Sequence, residues 1–362
     1  MEMIFVAGIG IALLIEFLLI TKKDKSGSDI LLTIWMFVVV IHLFLFYLYH
    51  TQEIYRLPFL LGIESPLPLL HGVFLYLYTA SLTDQFPQKK YLLALHFIPA
   101  LLIYLYLTGF FFLPADEKIQ IYRSRGAGHE LFNALKQYSI ALSGVLYVAW
   151  TSLLLKRHRK NIGDQFSNID ERNLQWLRFL TIGMGGIWFL VLAFPDPFIH
   201  FIGVVLFIFL IGFFGVRQSG IFKHNDPASS AGEQKKKYPK SGLTNEQALT
   251  LHASLRELMQ KEAPYRNSDL SIGDLAARLD IHPNYLSQII NEKEGMNFYD
   301  FVNTYRIEEF KRLIALPKNR QKTLLSLAFD CGFNSKSSFN RYFKKAAGMT
   351  PSEYFAGLTP EP

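Results

Sequence analysis

Two patterns of apolar residues divide the chain. Through residues 1–216 they run continuously in stretches of about twenty; from residue 244 they recur at three- and four-residue spacing among polar positions. The first pattern is what a lipid-crossing helix needs, about 20 mostly apolar residues. The second is one face of an amphipathic helix packed in water. Seven stretches fit the first, at roughly 3–20, 30–49, 57–80, 91–113, 135–155, 174–194 and 198–216. Thr33 and His42 are the polar positions of the second, and His200 that of the seventh. Glu64, Pro66 and Pro68 interrupt the third, which predicts a kink or a late start. The first has no basic residue before it and no small-residue cleavage site after it, so it does not read as a secretory leader. The expected fold is all-α: a seven-helix transmembrane bundle over 1–216, a linker over 217–243 and a helical domain over 244–362.

That last domain repeats itself. Ile272, Leu275, Ala276, Leu279 and Ile281 recur 52 residues later as Leu324, Leu327, Ala328, Cys331 and Phe333. After one inserted residue, Leu286, Ile290 and Gly295 recur as Phe339, Phe343 and Gly348. Each copy predicts two short helices and a turn. Ser271 with Asp274 forms a capping-box pattern, as do Thr244 with Gln247 and Thr350 with Glu353; Thr323 caps the second copy. Pro283 and Pro351 suit first helical positions, where a missing N–H costs nothing. Gly332 takes the second turn and Phe333 fills the core behind it. A longer helix from Phe298 to Leu316, stopped by Pro317, joins the copies. Leu249, Leu255, Leu258 and Met259 form the apolar face of a helix that opens the domain. Cys331, the single cysteine, falls on an apolar stripe and reads as a small buried hydrophobe.

Each copy leaves a polar face on its second helix: Asn284, Tyr285, Ser287, Gln288 and Asn291 in the first, and Lys336, Ser337, Ser338, Asn340 and Arg341 in the second, followed by Lys344 and Lys345. Amides, hydroxyls and guanidinium groups on one helix face are what base edges in a major groove accept. Charge sharpens the asymmetry. Net charge is +7, and nine basic residues against one acid, Asp330, lie between Lys311 and Lys345. Residues 246–309 carry six basic and eleven acidic. A basic face beside a neutral whole fits phosphate contact, and a solvated helix face fits it equally.

The residues of the repeat match a family. Residues 270–355 resemble the DNA-binding domain of the AraC/XylS transcriptional regulators. The most specific string runs from Gly332 through Asn334, Phe339, Arg341, Phe343, Lys344 and Lys345, then Gly348, Thr350, Pro351 and Tyr354. Tyr285-Leu286-Ser287 and Tyr305-Arg306-Ile307 match the first half and the joining helix. Residues 1–216 resemble, by topology alone, the multi-span N-terminal regions of some bacterial members. The resemblance implies two helix–turn–helix subdomains entering successive major grooves of double-stranded DNA. It implies base-facing Asn284, Ser287 and Gln288 in the first, and Lys336, Ser337, Ser338 and Arg341 in the second, with Lys344 and Lys345 beside them. Ile290 departs from the phenylalanine common in the family, and Asn291 from a basic residue. The second half is therefore expected to supply more of the phosphate affinity.

Loop charge orients the spans. Connections one, three and five carry ten Lys and Arg; two, four and six carry four. The excess sits inside, which predicts an outside N-terminus and a cytoplasmic C-terminal domain on the inner (cytoplasmic) membrane. Residues 226–232 read as a flexible linker, and lysines 235–237 as a solvated run or a contact with the anionic leaflet. Glu16, His42, Glu64, His71 and His96 are ionisable residues within spans and so candidates for membrane sensing. Three histidines on three helices would suit a metal or proton site; interhelical hydrogen bonding is the plainer alternative. No metal site or cofactor is predicted, and no Walker loop, His-Glu-x-x-His, nucleophile elbow or kinase motif points to an enzyme. The expected function is a membrane-bound, one-component transcription regulator responding to an unknown small-molecule or membrane signal. The alternative is a receptor or transporter with a protein-interaction tail. A homodimer is a candidate state, though two-groove contact does not require one.

Overall fold

The computed structural model describes residues 2–169, 174–194, 197–217, 244–319 and 321–357. The expected linker beyond Arg217, with lysines 235–237, lies outside the described residues. Helices dominate, and among the described residues the extended pairing is one isolated antiparallel bridge, Phe166 with Ser271. The chain divides into two units: one takes the described residues of 1–156 and 174–231, the other those of 157–173 and 232–362.

The first unit begins with α1 (Glu2–Thr21) and α2 (Gly27–His50). Ser26 and Asp29 cap α2 reciprocally, and Lys22 pairs with Asp29 at 2.8 Å. Two 3-10 turns, Glu53–Arg56 and Pro58–Leu60, precede α3 (Leu67–Leu82). This is the late start that Glu64, Pro66 and Pro68 foretold. The stretch 91–113 is less regular than its apolarity suggests, forming α4 (Lys90–Leu95), α5 (Ile98–Tyr106) and α6 (Thr108–Phe111). Pro99, in the first turn of α5, has no N–H to extend α4. Then come α7 (Ala115–Arg123), α8 (Glu130–Gln165), α9 (Gln175–Ala193) and α10 (Pro197–Arg217). Helix α1 packs on α2 and α10, α2 on α3, and α9 on α10. Phe5, Trp35, Met36, Leu75 and Leu177 are fully buried among them.

Four of these helices are long and apolar enough to cross a membrane: Met3–Thr21, Gly27–His50, Glu130–Gln165 and Gln175–Ala193. Leu67–Leu82 and Phe198–Gly212 are shorter apolar helices. Large apolar side chains also point away from the core, Phe17 at 61% exposure among them. A water-facing surface would be costly at that density; a lipid-facing one is not.

The membrane-side candidates separate. His42 Nδ1 and His71 Nε2 lie 2.8 Å apart, and Trp35 Nε1 donates to His71 Nδ1 at 3.3 Å. His96 bonds instead to the Tyr147 hydroxyl at 2.8 Å. Glu16 is buried, with Oε2 unpartnered, and Glu64 accepts from the Tyr122 hydroxyl and from Gly62 N. The three histidines do not converge, and among the described residues no three His, Cys, Asp or Glu side chains are grouped to hold a metal. Interhelical hydrogen bonding describes them.

The second unit contains α11 (Asn245–Lys261), α12 (Ile272–Arg278), α13 (Pro283–Ile289), α14 (Phe298–Ile314), α15 (Leu324–Asp330), α16 (Lys336–Ala347) and α17 (Pro351–Ala356). Helices α12 and α15 have the same length at the 52-residue offset, and α13 and α16 begin 53 residues apart, as the repeat requires. Capping boxes form at Thr244, Ser271 and Thr350. On α11 the buried positions are Ala248, Leu255 and Met259, whereas Leu249 is exposed. Helix α14 serves both halves. Phe298, Phe301 and Val302 enter one core with Leu275, Leu286 and Ile290; Ile307, Phe310 and Ile314 enter the other with Leu327, Phe339 and Phe343. Each such side chain, fully buried, contributes about 1.5–3 kcal/mol. Joint burial on one continuous helix fixes the two halves to each other.

Candidate nucleic-acid interface

The polar faces of α13 and α16 are built by their apolar ones. In α16, Phe339, Tyr342 and Phe343 are buried, so Lys336, Ser337, Asn340, Arg341, Lys344 and Lys345 face solvent. Ser335 caps the helix by accepting from Ser338 N at 3.1 Å. Ser338 itself differs from the expectation. It is only 5% exposed and its Oγ lies 3.4 Å from the Tyr299 hydroxyl, because it falls one residue before Phe339 on the buried side. It supports α16 from behind rather than presenting a group outward.

Arg341 and Lys345 are tied to α14. Arg341 Nη2 donates to the Tyr299 hydroxyl at 3.3 Å, and Lys345 Nζ pairs with Asp300 Oδ1 at 2.9 Å. Tyr342 donates its hydroxyl proton to Asp300 O at 2.8 Å. The base of α16 is thus bolted to the first turn of the joining helix. Tyr299 and Asp300 were not among the expected site residues; their signal was only their place on the joining helix.

Helix α13 is shorter. His282 caps it through Nδ1, which accepts from Asn284 N at 3.2 Å, and Pro283 occupies its first turn. Asn284 is exposed, and Ser287 and Gln288 are half-buried. Gln288 Nε2 donates to Glu292 at 2.8 Å, and Asn291 Nδ2 donates to Ser287 O at 2.7 Å. After Ile289 the chain makes a π turn over Ile290–Glu294. This face has amides and hydroxyls but no exposed cation within the helix, as its sequence requires.

The two turns adopt left-handed backbone at matching positions, with φ +53° at Asp280 and +96° at Gly332. A Cβ on Gly332 would run into Tyr265 O and the Arg266 carbonyl group. Glycine is therefore required there twice over, by conformation and by contact.

The sequence names Arg306 within a family motif but not the structural role it takes. Arg306, in the middle of α14, is 1% exposed. Its Nε donates to Tyr265 O at 2.7 Å and its Nη2 to Asn267 O at 2.8 Å. Its Nη1 reaches Ser167 O, and its Nη2 Ser167 Oγ, both at 3.0 Å. Burial pushes its pKa down to about 10, which still leaves it charged at neutral pH. Ser167 belongs to a segment that follows α8. Ser167 N also donates to Leu270 O at 3.1 Å, and Ile162 and Ile169 are buried in the core of the second half. The last turns of α8 and the strap after them are thus part of this unit. The motif Tyr305-Arg306-Ile307 marked the arginine, but nothing in the pattern marked its partner 139 residues earlier.

Comparison with known proteins agrees with this geometry. The family described as "Helix-turn-helix domain" matches residues 275–357. The chain is 32% identical over 87 residues to the uncharacterized HTH-type transcriptional regulator YtdP of Bacillus subtilis (strain 168), covering 24% of this chain and 11% of that protein. It is 35% identical over 85 residues to YobQ of the same organism, likewise named an HTH-type transcriptional regulator, covering 24% of this chain and 34% of YobQ. A third, SACOL0084 of Staphylococcus aureus (strain COL), is 33% identical over 88 residues, which are 11% of its length. The chain therefore spans a small part of each of these relatives. No solved structure matches. Repeat, caps, turn geometry and family match together make the C-terminal part of this chain, residues 275–357, a helix–turn–helix domain of the AraC type, following helices apolar enough to span a membrane.

Proposed function

We propose that the chain is a membrane-embedded, one-component transcription regulator that binds promoter DNA sequence-specifically through both helix–turn–helix units. The carrying observation is one rigid helix, α14, shared by two cores that each expose a polar second helix. Asn284, Ser287 and Gln288 would face bases from α13, with Lys336, Ser337 and Arg341 doing so from α16. Lys344 and Lys345 would hold phosphates, which position the reader without specifying sequence. The loop-charge bias supports an outside N-terminus and a cytoplasmic reader on the inner membrane. On this reading a signal sensed in or at the membrane shifts the reader's competence for DNA. Two covalent routes serve it: the 217–243 linker and the α8 strap, whose Ser167 meets Arg306.

The test uses the full chain in lipid nanodiscs and duplex fragments from beside its own gene. Specific binding should fall steeply as salt rises, in proportion to the phosphates neutralised. Binding that ignores both sequence and salt would sink the reading. Genome-wide occupancy of the tagged full-length protein would then give the operators.

A further inference from the structure

The first unit contains a partly open cavity of about 380 Å³. Helices α2, α3, α8, α9 and α10 supply its wall, on which Trp35, His42, His71, Trp188, Phe201 and Phe207 are the informative residues. Among the described residues that line it there is no Asp, Glu, Lys or Arg. An ion entering such a space would lose hydration without gaining a counter-charge from these residues, which favours an uncharged ligand. At interior packing density the volume holds on the order of fifteen non-hydrogen atoms.

Its polar atoms have a direction. Trp35 Nε1 can only donate, so His71 Nδ1 accepts its proton. In the neutral ring the His71 proton then sits on Nε2, which donates to His42 Nδ1 at 2.8 Å. That leaves the His42 proton on Nε2, which has no further hydrogen bond among the described residues. On the same wall, Trp188 is buried and its Nε1 also has no acceptor among the described residues. Gly144 on α8 sets that ring: a Cβ there would overlap the Trp188 indole. Gln137 and His200 are the other polar residues of the wall, His200 Nε2 lying 2.7 Å from Phe194 O. Two donors without acceptors there, with no charged side chain among the described lining residues, call for an uncharged ligand that accepts.

We infer that this cavity binds a neutral, lipophilic molecule bearing a carbonyl or ester oxygen, which accepts from His42 Nε2 and Trp188 Nε1. A diffusible ester or lactone has this chemistry, and so does the acyl ester of a membrane lipid. That the ligand governs DNA binding rests on the regulator reading above; that it binds does not.

The experiment titrates δ-dodecalactone into the full chain in nanodiscs, with empty nanodiscs to subtract partitioning and with dodecane and dodecanoate as comparators. Saturable lactone binding, stronger than that of either comparator, is expected. Trp188→Phe and His42→Phe should each weaken lactone binding about tenfold, the effect of one lost hydrogen bond, and leave dodecane unchanged. If a variant fails to fold, the ligand series on the unaltered protein decides alone. Equal binding of dodecane and lactone, or no saturable binding, overturns the inference. Ether-linked lipid nanodiscs separate the sources. Tighter lactone binding there means that lipid esters compete for the site; unchanged binding means a diffusible ligand. DNA binding measured on the same sample keeps the two readings apart, since either can fail while the other holds.

Discussion

Arg341 is already oriented within the unit, because the Tyr299 hydroxyl accepts from its Nη2. A long side chain held this way loses less freedom on binding. Arg341→Ala should weaken specific binding by about 1–3 kcal/mol and relax preference at one base position, read from a panel of single-base operator variants. A uniform loss across the panel would instead make Arg341 a phosphate contact. Gly332 makes a prediction about stability. Gly332→Ala forces a Cβ into left-handed backbone at φ +96° and against Tyr265 O. It should lower stability by more than about 1 kcal/mol, seen as a lower Tm of the full chain. Both residues were legible in the family string before the structure. Ser338, in the same string, is expected outward and lies inward, because a resemblance names positions while the fold decides which way each one turns.

At the scale of elements, α14 is a helix whose polar groups point inward as well as its apolar ones. Arg306 gathers carbonyls from two separate segments, the turn at 265–267 and Ser167, and no lysine can reproduce a planar fork of donors. Arg306→Lys should therefore destabilise the unit by about 2 kcal/mol or more, since buried carbonyls lose their partners. A Tm equal to that of the unaltered chain would disprove this. Three residues on, Glu309 accepts two hydrogen bonds from Arg312, each at 2.8 Å, and also pairs with Arg266. The Arg312 hydrogen bonds, outweighing burial, hold its carboxyl below the ordinary carboxylate value. The unfolded chain thus binds this proton more readily than the folded one. The stabilisation is complete above the unfolded carboxyl's pKa, about 4.3, and is lost as pH falls through the lower folded value. Glu309→Gln should flatten that part of the stability-against-pH curve. Helix existence and caps were legible here from spacing alone. The break of 91–113 into α4, α5 and α6 was not, because hydropathy registers apolar content and is blind to where Pro99 stops a hydrogen-bond ladder.

The whole molecule is divided differently from its hydropathy. Composition places a boundary near residue 217, whereas contacts give 157–173 to the reader's unit. Ile162, Phe166 and Ile169 are too few to show a period, and they lie in a stretch whose charge dominates any sequence reading. A protease site inserted within 217–243 tests the partition. After cleavage the C-terminal fragment should stay with the rest through mild detergent washing, because the strap remains packed in its core. A Ser167→Pro partner variant, which removes the N–H donated to Leu270 O, should loosen it. Release of the fragment from the unaltered strap would count against the partition.

The strap also sets an order of assembly. Ser167 is made 139 residues before Arg306, the residue that will close around it. At synthesis rates of about 5–20 residues per second, the interval is roughly 7–28 s. Helices α9 and α10 are made during that wait, while Ile162 and Ile169 have no core to enter. The reader cannot finish folding until the ribosome has delivered α14, α15 and α16. A chain halted before α14 would therefore display the basic end of α8 with Ile162 and Ile169 uncovered.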